Sequence, residues 1–254
     1  LTDLLLISFR FDAEDSLALY PDSTIAKTVL TTLCEALSIA TARKLEVDPR
    51  EIAAGYRFSH SDLSIEGKEM EIFLYDTLSG GAGYSSSLYE SIEELFEEAL
   101  EILTDCPEDC DSSCYKCLRS FGNKHNHKRF DRQLTASFLG HALNNQYLEL
   151  NTDRSSVSMD LLAKDLKRQD REWDINTNVT INNQILGKEI NVPILIKYRD
   201  EEYYICLENP LNREIYDKDL EDLEDYANIL KVNDFIIGKN IASVTNFIVN
   251  KIFN

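Results

Sequence analysis

Cys106-Pro-Glu-Asp-Cys110-Asp-Ser-Ser-Cys114-Tyr-Lys-Cys117 places four thiols within twelve residues, at spacings of three, three and two. Zinc takes four ligands in a tetrahedron with sulfur about 2.3 Å from the ion, and short intervals let one loop wrap it. Pro107, Asp109, Asp111, Ser112 and Ser113 favour a tight, non-helical path between the thiols. With four protein ligands no position is left for water, so the metal expected here is structural. Clustered thiols in a reducing compartment point to metal rather than to disulfides.

An iron–sulfur cluster is the alternative cofactor. Cys110-x3-Cys114-x2-Cys117 alone has the three-thiol spacing of radical-SAM enzymes, and Cys106 would supply a fourth ligand. No Gly-rich cofactor motif followed by a barrel of strands accompanies it.

Outward from the quartet the charge is polarised. Glu90 to Asp111 holds ten acids and no Lys or Arg, whereas Lys116 to Arg132 holds six basic residues against the single acid Asp131. A net charge of -19 over 254 residues excludes a chain whose whole surface embraces nucleic acid, so any phosphate contact must be local. Lys116, Arg119, Lys124, His125, His127, Lys128, Arg129 and Arg132 are the candidate nucleic-acid-binding residues. The alternative for these cations is salt-bridging to the acidic helix. His125 and His127 read as the surface of a basic loop, since four thiolates already suffice for the metal.

The flanks are periodic. Ile25, Val29, Leu33 and Leu37 recur every fourth residue, predicting a helix over Thr24 to Leu45. Leu4 to Phe9, Tyr56 to His60 and Glu69 to Tyr75 have strand character, with a loop over Asp12 to Asp22. Ser87 and Glu90 have capping-box spacing ahead of a helix whose buried stripe is Ile92, Leu95, Phe96, Ala99, Leu100 and Leu103. Leu134 to Leu143 reads as another helix, ending at Asn144 and Asn145.

Two stretches together carry a resemblance: Asp76-Thr-Leu-Ser-Gly-Gly-Ala-Gly-Tyr84, and the quartet continued as Leu-Arg-Ser-Phe-Gly-Asn-Lys-His-Asn-His-Lys-Arg-Phe-Asp-Arg132. The chain from Leu1 to Asn145 resembles the MrfA-type zinc-binding domain (MZB), appended to superfamily 2 DEAD/DEAH-type helicases and found in the helicase-associated subunit of DISARM phage defence. The resemblance implies zinc on Cys106, Cys110, Cys114 and Cys117, a helicase motor in cis or in trans as partner, and a DNA-repair or anti-phage setting. Lys124 stands where that pattern is expected to carry glutamine. Gly80, Gly81 and Gly83 read as a tight strand-to-helix turn; no Lys-Ser or Lys-Thr follows, so they are not an ATP-binding loop. No DEAD- or DEAH-type box is present, which places the motor outside these residues, and a start at Leu1 without Met suggests a fragment.

Past Gln146 the texture changes. Residues 1–150 are expected to form one domain and residues 151–254 a second, with the boundary in the polar stretch Asn151 to Ser156. The second domain reads as a helix on Val157, Leu161, Leu162 and Leu166, and three strands over Trp173 to Ile181, Ile190 to Tyr198 and Tyr203 to Leu207. A helix over Leu220 to Leu230, a strand over Phe235 to Ile237 and a helix over Val244 to Ile252 complete it. That order looks like PD-(D/E)xK nucleases, which need an acid on the second strand and an acid-x-Lys on the third to hold Mg²⁺ and activate water. The matching positions are Asn191, Glu208 and Pro210, so the site is expected to be vestigial. A Mg-dependent nuclease using Glu189 and Glu208 is the alternative.

The expectation is therefore an α+β chain of two domains, one zinc-stapled and one smaller with a restriction-endonuclease-like αβββαβ order. Its function is to organise a DNA helicase without catalysis of its own, contacting DNA through the basic loop; a scaffold binding only protein is a further alternative. No run approaches the roughly 20 apolar residues that span a bilayer, so no membrane partner and a cytoplasmic location are expected.

Overall fold

Thr24–Leu45 (α1) is the helix on which the first unit is built, in a computed structural model that describes residues 4–11, 17, 19–21, 23–58, 68–78, 83–148, 152–183 and 187–253. The Ser23 hydroxyl accepts the Ala26 N–H at 3.0 Å and starts the helix; Glu46, in the left-handed region, ends it. Ile25, Val29, Leu33 and Leu37 are buried as their period requires, but so are Ala26, Leu30, Ala36 and Ala40. By length and composition alone α1 is long and apolar enough to cross a membrane, contrary to the expectation that no run approaches that limit. Its apolar residues are instead inside this unit.

The chain divides into Leu1–Leu148 and Glu149–Asn254. In the first unit, Leu4–Phe11 (β1), Ile52–Phe58 (β2) and Lys68–Asp76 (β3) form an antiparallel sheet in the order β1-β3-β2. Met70, Ile72 and Leu74 alternate into the core. Gly55 lies opposite Phe73, and a Cβ there would stand 2.5 Å from the Phe73 ring, so only glycine lets that ring lie across β2.

Tyr84–Ser87 (α2) begins after Gly83, whose φ of 77° needs glycine; Gly80 and Gly81 lie outside the described residues, as do residues 59–60 and most of 12–22. The capping box expected at Ser87 and Glu90 does not form. Ser87 is the last residue of α2 and donates its hydroxyl to the Tyr84 carbonyl, and a short turn over Tyr89–Ser91 delays Ile92–Thr104 (α3). Leu95, Phe96, Ala99, Ile102 and Leu103 face the core, while Glu98 and Glu94 on the outer face pair with Arg43 and Lys44 of α1.

Arg132–Asn144 (α4) is capped by Asp131, whose carboxylate accepts the Leu134 N–H at 3.0 Å. Asp131→Ala is expected to lower stability by about 1 kcal/mol, read from thermal melts.

The second unit begins its helix earlier than expected. Thr152–Lys167 (α5) includes most of the polar stretch taken as a linker, and Asn151 itself lies outside the described residues. Met159, Leu162, Ala163 and Leu166 are buried, whereas Val157 and Leu161 face solvent. Asp174–Asn183 (β4), Lys188–Tyr198 (β5), Glu201–Leu207 (β6) and Asn228–Val232 (β7) form one sheet in that order, antiparallel except for the parallel pair β6 and β7.

Two expectations fail on either side of and within β7. The helix predicted over Leu220 to Leu230 is only Lys218–Glu221 (α6), because Ile229, Leu230 and Val232 gain more by adding a parallel strand to β6. Phe235 to Ile237 are not a strand but the start of Asp234–Phe253 (α7), which kinks at Asn240; there the Asn240 side-chain Oδ1 accepts the Ser243 N–H and restarts the helix.

One hydrophobic cluster joins α5 and α7 to Ile175, Ile194, Ile196, Tyr203 and Ile205; another, around Leu220 and Leu223, takes Ile190, Val192, Leu195, Tyr204 and Cys206. Alternation along β6 puts these clusters on opposite faces of the sheet. Yet Val192 and Ile194, two residues apart, belong to different clusters. The phase changes at Pro193, which has no N–H for the ladder, beside Asn178, whose φ is 52°.

Candidate metal centre and basic loop

The C-terminus of α3 delivers the chain to Cys106, and two tight turns then bring the four sulfurs together. In the first, the Asp109 N–H donates to the Cys106 carbonyl at 2.9 Å, with Asp109 at φ 42°. In the second, the Cys117 and Arg119 N–H groups both reach the Cys114 carbonyl, at 3.3 and 2.9 Å. The Sγ atoms all lie within 4.8 Å of one another, and among the described residues this is the one group of three or more Cys, His, Asp or Glu ligand atoms so placed.

Four sulfur–sulfur edges measure 3.6 Å (Cys106–Cys110), 3.6 Å (Cys106–Cys114), 3.7 Å (Cys110–Cys117) and 3.8 Å (Cys114–Cys117). A tetrahedron with sulfur at zinc distance from its centre has edges of about 3.8 Å. Backbone N–H groups already point at the sulfurs: Cys114 N–H to Cys117 Sγ at 3.2 Å and Lys116 N–H to Cys114 Sγ at 3.3 Å. Burial raises Cys106, but the Cys110 and Glu108 N–H groups outweigh it and bring the thiol down to about 6. Burial pushes Cys110 and Cys117 up, with neighbouring thiols adding to the effect at Cys110, so a metal must displace their protons to bind.

Arg132 sits against this centre and corrects its assignment as a nucleic-acid contact. It is 4% exposed, and its guanidinium donates to the Leu103, Thr104 and Cys110 carbonyls at 3.1, 3.0 and 2.6 Å and to the Asp109 carboxylate at 3.0 Å. It thus satisfies the last turn of α3 and the first cysteine turn, and places a positive charge beside the thiols. Burial alone would lower Arg132, but bonding to Cys110 and the charges of Cys110, Cys106 and Asp109 raise it. The sequence showed a basic residue; it did not show that four oxygens await it inside.

The rest of the loop is anchored by Leu118 and Phe130, both buried, and by the Asp131 N–H on the Thr32 hydroxyl of α1. His127 is also tied in: its Nε2 lies 2.9 Å from the Ser120 carbonyl and from the Asn123 side-chain oxygen. Arg119 donates to Ser113 Oγ at 2.9 Å. Lys116, Lys124, His125, Lys128 and Arg129 are exposed. Glu98 and Glu94 of the acidic helix, offered as their alternative partner, pair with Arg43 and Lys44 of α1.

The MrfA Zn-binding domain family matches residues 33–118, the span that ends just beyond the fourth cysteine. Within the first unit, residues 33–118 are similar to an MrfA Zn-binding domain. Druantia protein DruE of Escherichia coli is 40% identical over 116 residues, which is 45% of this chain and 6% of DruE. Protein MJ1572.1 of Methanocaldococcus jannaschii, uncharacterized, is 35% identical over 74 residues, 29% of this chain and 63% of that one. The chain thus spans less than two thirds of either relative. Among solved structures, the DUF1998 helicase MrfA bound to DNA and AMPPNP aligns with 52% of this chain and 15% of its own, at 15% identity and a TM-score of 0.34.

The MrfA Zn-binding domain is a zinc-binding family, and its cysteine quartet here is compatible with zinc. The geometry also bears on the iron–sulfur alternative. Edges of 3.6 to 3.8 Å leave room for a single ion, whereas a polynuclear cluster interposes several atoms and holds its thiolates farther apart.

Outside the residues that match that family, the nuclease positions are scattered in environment. Glu189 and Asn191 are exposed on β5, and Pro210 is buried. Glu208, 8% exposed, directly follows β6; its carboxylate accepts the Asn233 amide at 3.3 Å.

Proposed function

We propose that Cys106, Cys110, Cys114 and Cys117 hold one structural zinc ion, and that the chain is an accessory module of a superfamily 2 helicase whose motor lies in cis or in trans. The match of the sulfur edges to a zinc-sized tetrahedron carries this reading. Bound there, zinc supplies folding energy and no reaction step. A module recurring inside a far longer relative supports an accessory role. The setting proposed is cytoplasmic DNA repair or anti-phage defence.

In this reading the zinc fixes the shape of the following loop, which offers Lys116, Lys124, His125, Lys128 and Arg129 to DNA phosphates. The second unit serves as a nuclease-like docking module. Asn191 would be a neutral, weak magnesium ligand, Pro210 has no donor, and Glu208 is engaged with Asn233.

Mobility shifts of the zinc-loaded chain at low salt test the contact. Lys124→Glu with Lys128→Glu and Arg129→Glu is expected to abolish the shift, since reversing three cations removes most of the counterion release. An unchanged shift would favour a scaffold that binds only protein.

A further inference from the structure

Beside the zinc loop runs a groove of roughly 970 Å³. Its floor is α1, with Cys34, Glu35 and Ser38; one wall is β2, with Tyr56 and the Phe73 ring lying over Gly55; the other is the loop itself, from Leu118 to Asn126, with Arg129. Phe121 stands at the loop's tip, 82% exposed, with the Lys124 ammonium 4.9 Å from its ring centre. Tyr115, 69% exposed, packs edge-on against His127 on the same loop. An apolar ring so far out of the core gains nothing for folding, and a cation at its side is how surfaces that receive bases and phosphates together are built.

Charge sorts the two levels of the groove. Arg129 lines the groove on the loop side and Lys124 lies against Phe121, where a phosphate chain would run; Arg50, also in the lining, is paired with Asp48, and Glu35 lies half-buried on the floor. Burial raises the Glu35 carboxyl above its ordinary value, and the Asn123 amide and His127 offset only part of that. Asn123 is spent within the loop, its oxygen on the Ser120 N–H and its amide on the Leu118 carbonyl, but the Glu35 carboxylate and the Asn126 amide offer nothing to a phosphate that the loop's cations do not offer better. To the edge of a base, with its amino and carbonyl groups, they offer both acceptors and donors.

We propose that this groove seats unpaired bases of single-stranded nucleic acid, with one base stacked on Phe121. The inference rests on the DNA-contact reading above and narrows it from phosphate binding in general to strands whose bases are free. Duplex keeps its bases stacked and out of reach, so it meets only the loop's cations.

The test uses the whole zinc-loaded chain and fluorescence anisotropy with three probes of one length: a thymidine 12-mer, an abasic strand and a duplex. The thymidine strand is expected to bind roughly tenfold or more tightly than the abasic strand. Phe121→Ala should reduce thymidine-strand binding by a similar factor and leave the abasic strand unchanged, whereas Tyr226→Ala, at an exposed aromatic of the second unit, should change neither. Equal affinity for all three probes, lost on reversing Lys124, Lys128 and Arg129, would overturn the base-seating proposal while the phosphate contact stands. No binding to any probe would remove both, leaving the groove and the edge of β2 to a polypeptide partner.

Discussion

Cys114→Ser is expected to strip the first unit of its metal and of most of its stability. A serine hydroxyl does not replace a thiolate as a zinc ligand, and zinc on four thiolates contributes about 10–16 kcal/mol in small peptides, much of which is folding energy. In this chain the quartet joins the two turns through one ion and Arg132 ties the first of them to the end of α3, so losing the metal reaches Leu118 and Phe130, whose side chains anchor the loop in the core. Elemental analysis should fall from one zinc per chain to below one half. Urea unfolding followed by tyrosine fluorescence should show the first unit losing on the order of 5 kcal/mol or more while the second unit's transition stays in place. Identical unfolding with and without a chelator would refute the structural role of the metal, and iron in place of zinc would return the cluster alternative.

Arg132→Met should be nearly as damaging, and for a reason unrelated to nucleic acid. Methionine keeps much of the volume but leaves the Leu103 and Cys110 carbonyls without this donor, while the Thr104 carbonyl keeps the Cys106 N–H. At about 1–3 kcal/mol for each buried acceptor left unpaired, the total is on the order of 4 kcal/mol. The Asp109 carboxylate contributes little to that sum, because its side chain is almost wholly in water and needs no partner. Removing a positive charge from beside the thiols should also weaken zinc binding by about tenfold or more. Arg129→Ala, three residues earlier and exposed, is expected to change stability by no more than about 0.5 kcal/mol. If the two variants were equally stable, the internal role of Arg132 would be wrong.

These two arginines show where a sequence can be read and where it cannot. Thiol spacing carries its own geometry, because ligands for one ion must be close along a short loop. The stripes of α1 and α3 and the alternation of Met70, Ile72 and Leu74 were legible for a similar reason: a repeat of 3.6 or of 2 has one buried side. A lone arginine has no period. Its place depends on carbonyls left over at the end of α3 and in the first cysteine turn, which exist only once both are folded. The same applies to His127, which looked like one more surface cation and is held by Ser120 and Asn123. At the other end of the chain, Leu223, Tyr226, Ala227 and Leu230 kept helical spacing by coincidence, and the open side of β6 decided the matter by recruiting Asn228–Val232 as a strand.

Phe121 is silent in the sequence, since a single aromatic in a polar loop signals nothing until its exposure is known. Composition was similarly blind to the fate of α1, where a length and apolarity suited to lipid describe equally well a helix surrounded by protein.

The phase change beside Pro193 has a mechanical corollary. Because one strand pair lends its apolar side chains first to one cluster and then to the other, neither half of the second unit's interior can loosen without twisting the shared hairpin. Two layers that look separable in cross-section are therefore wired to a single backbone, and the second unit should come apart in one step rather than leaf by leaf.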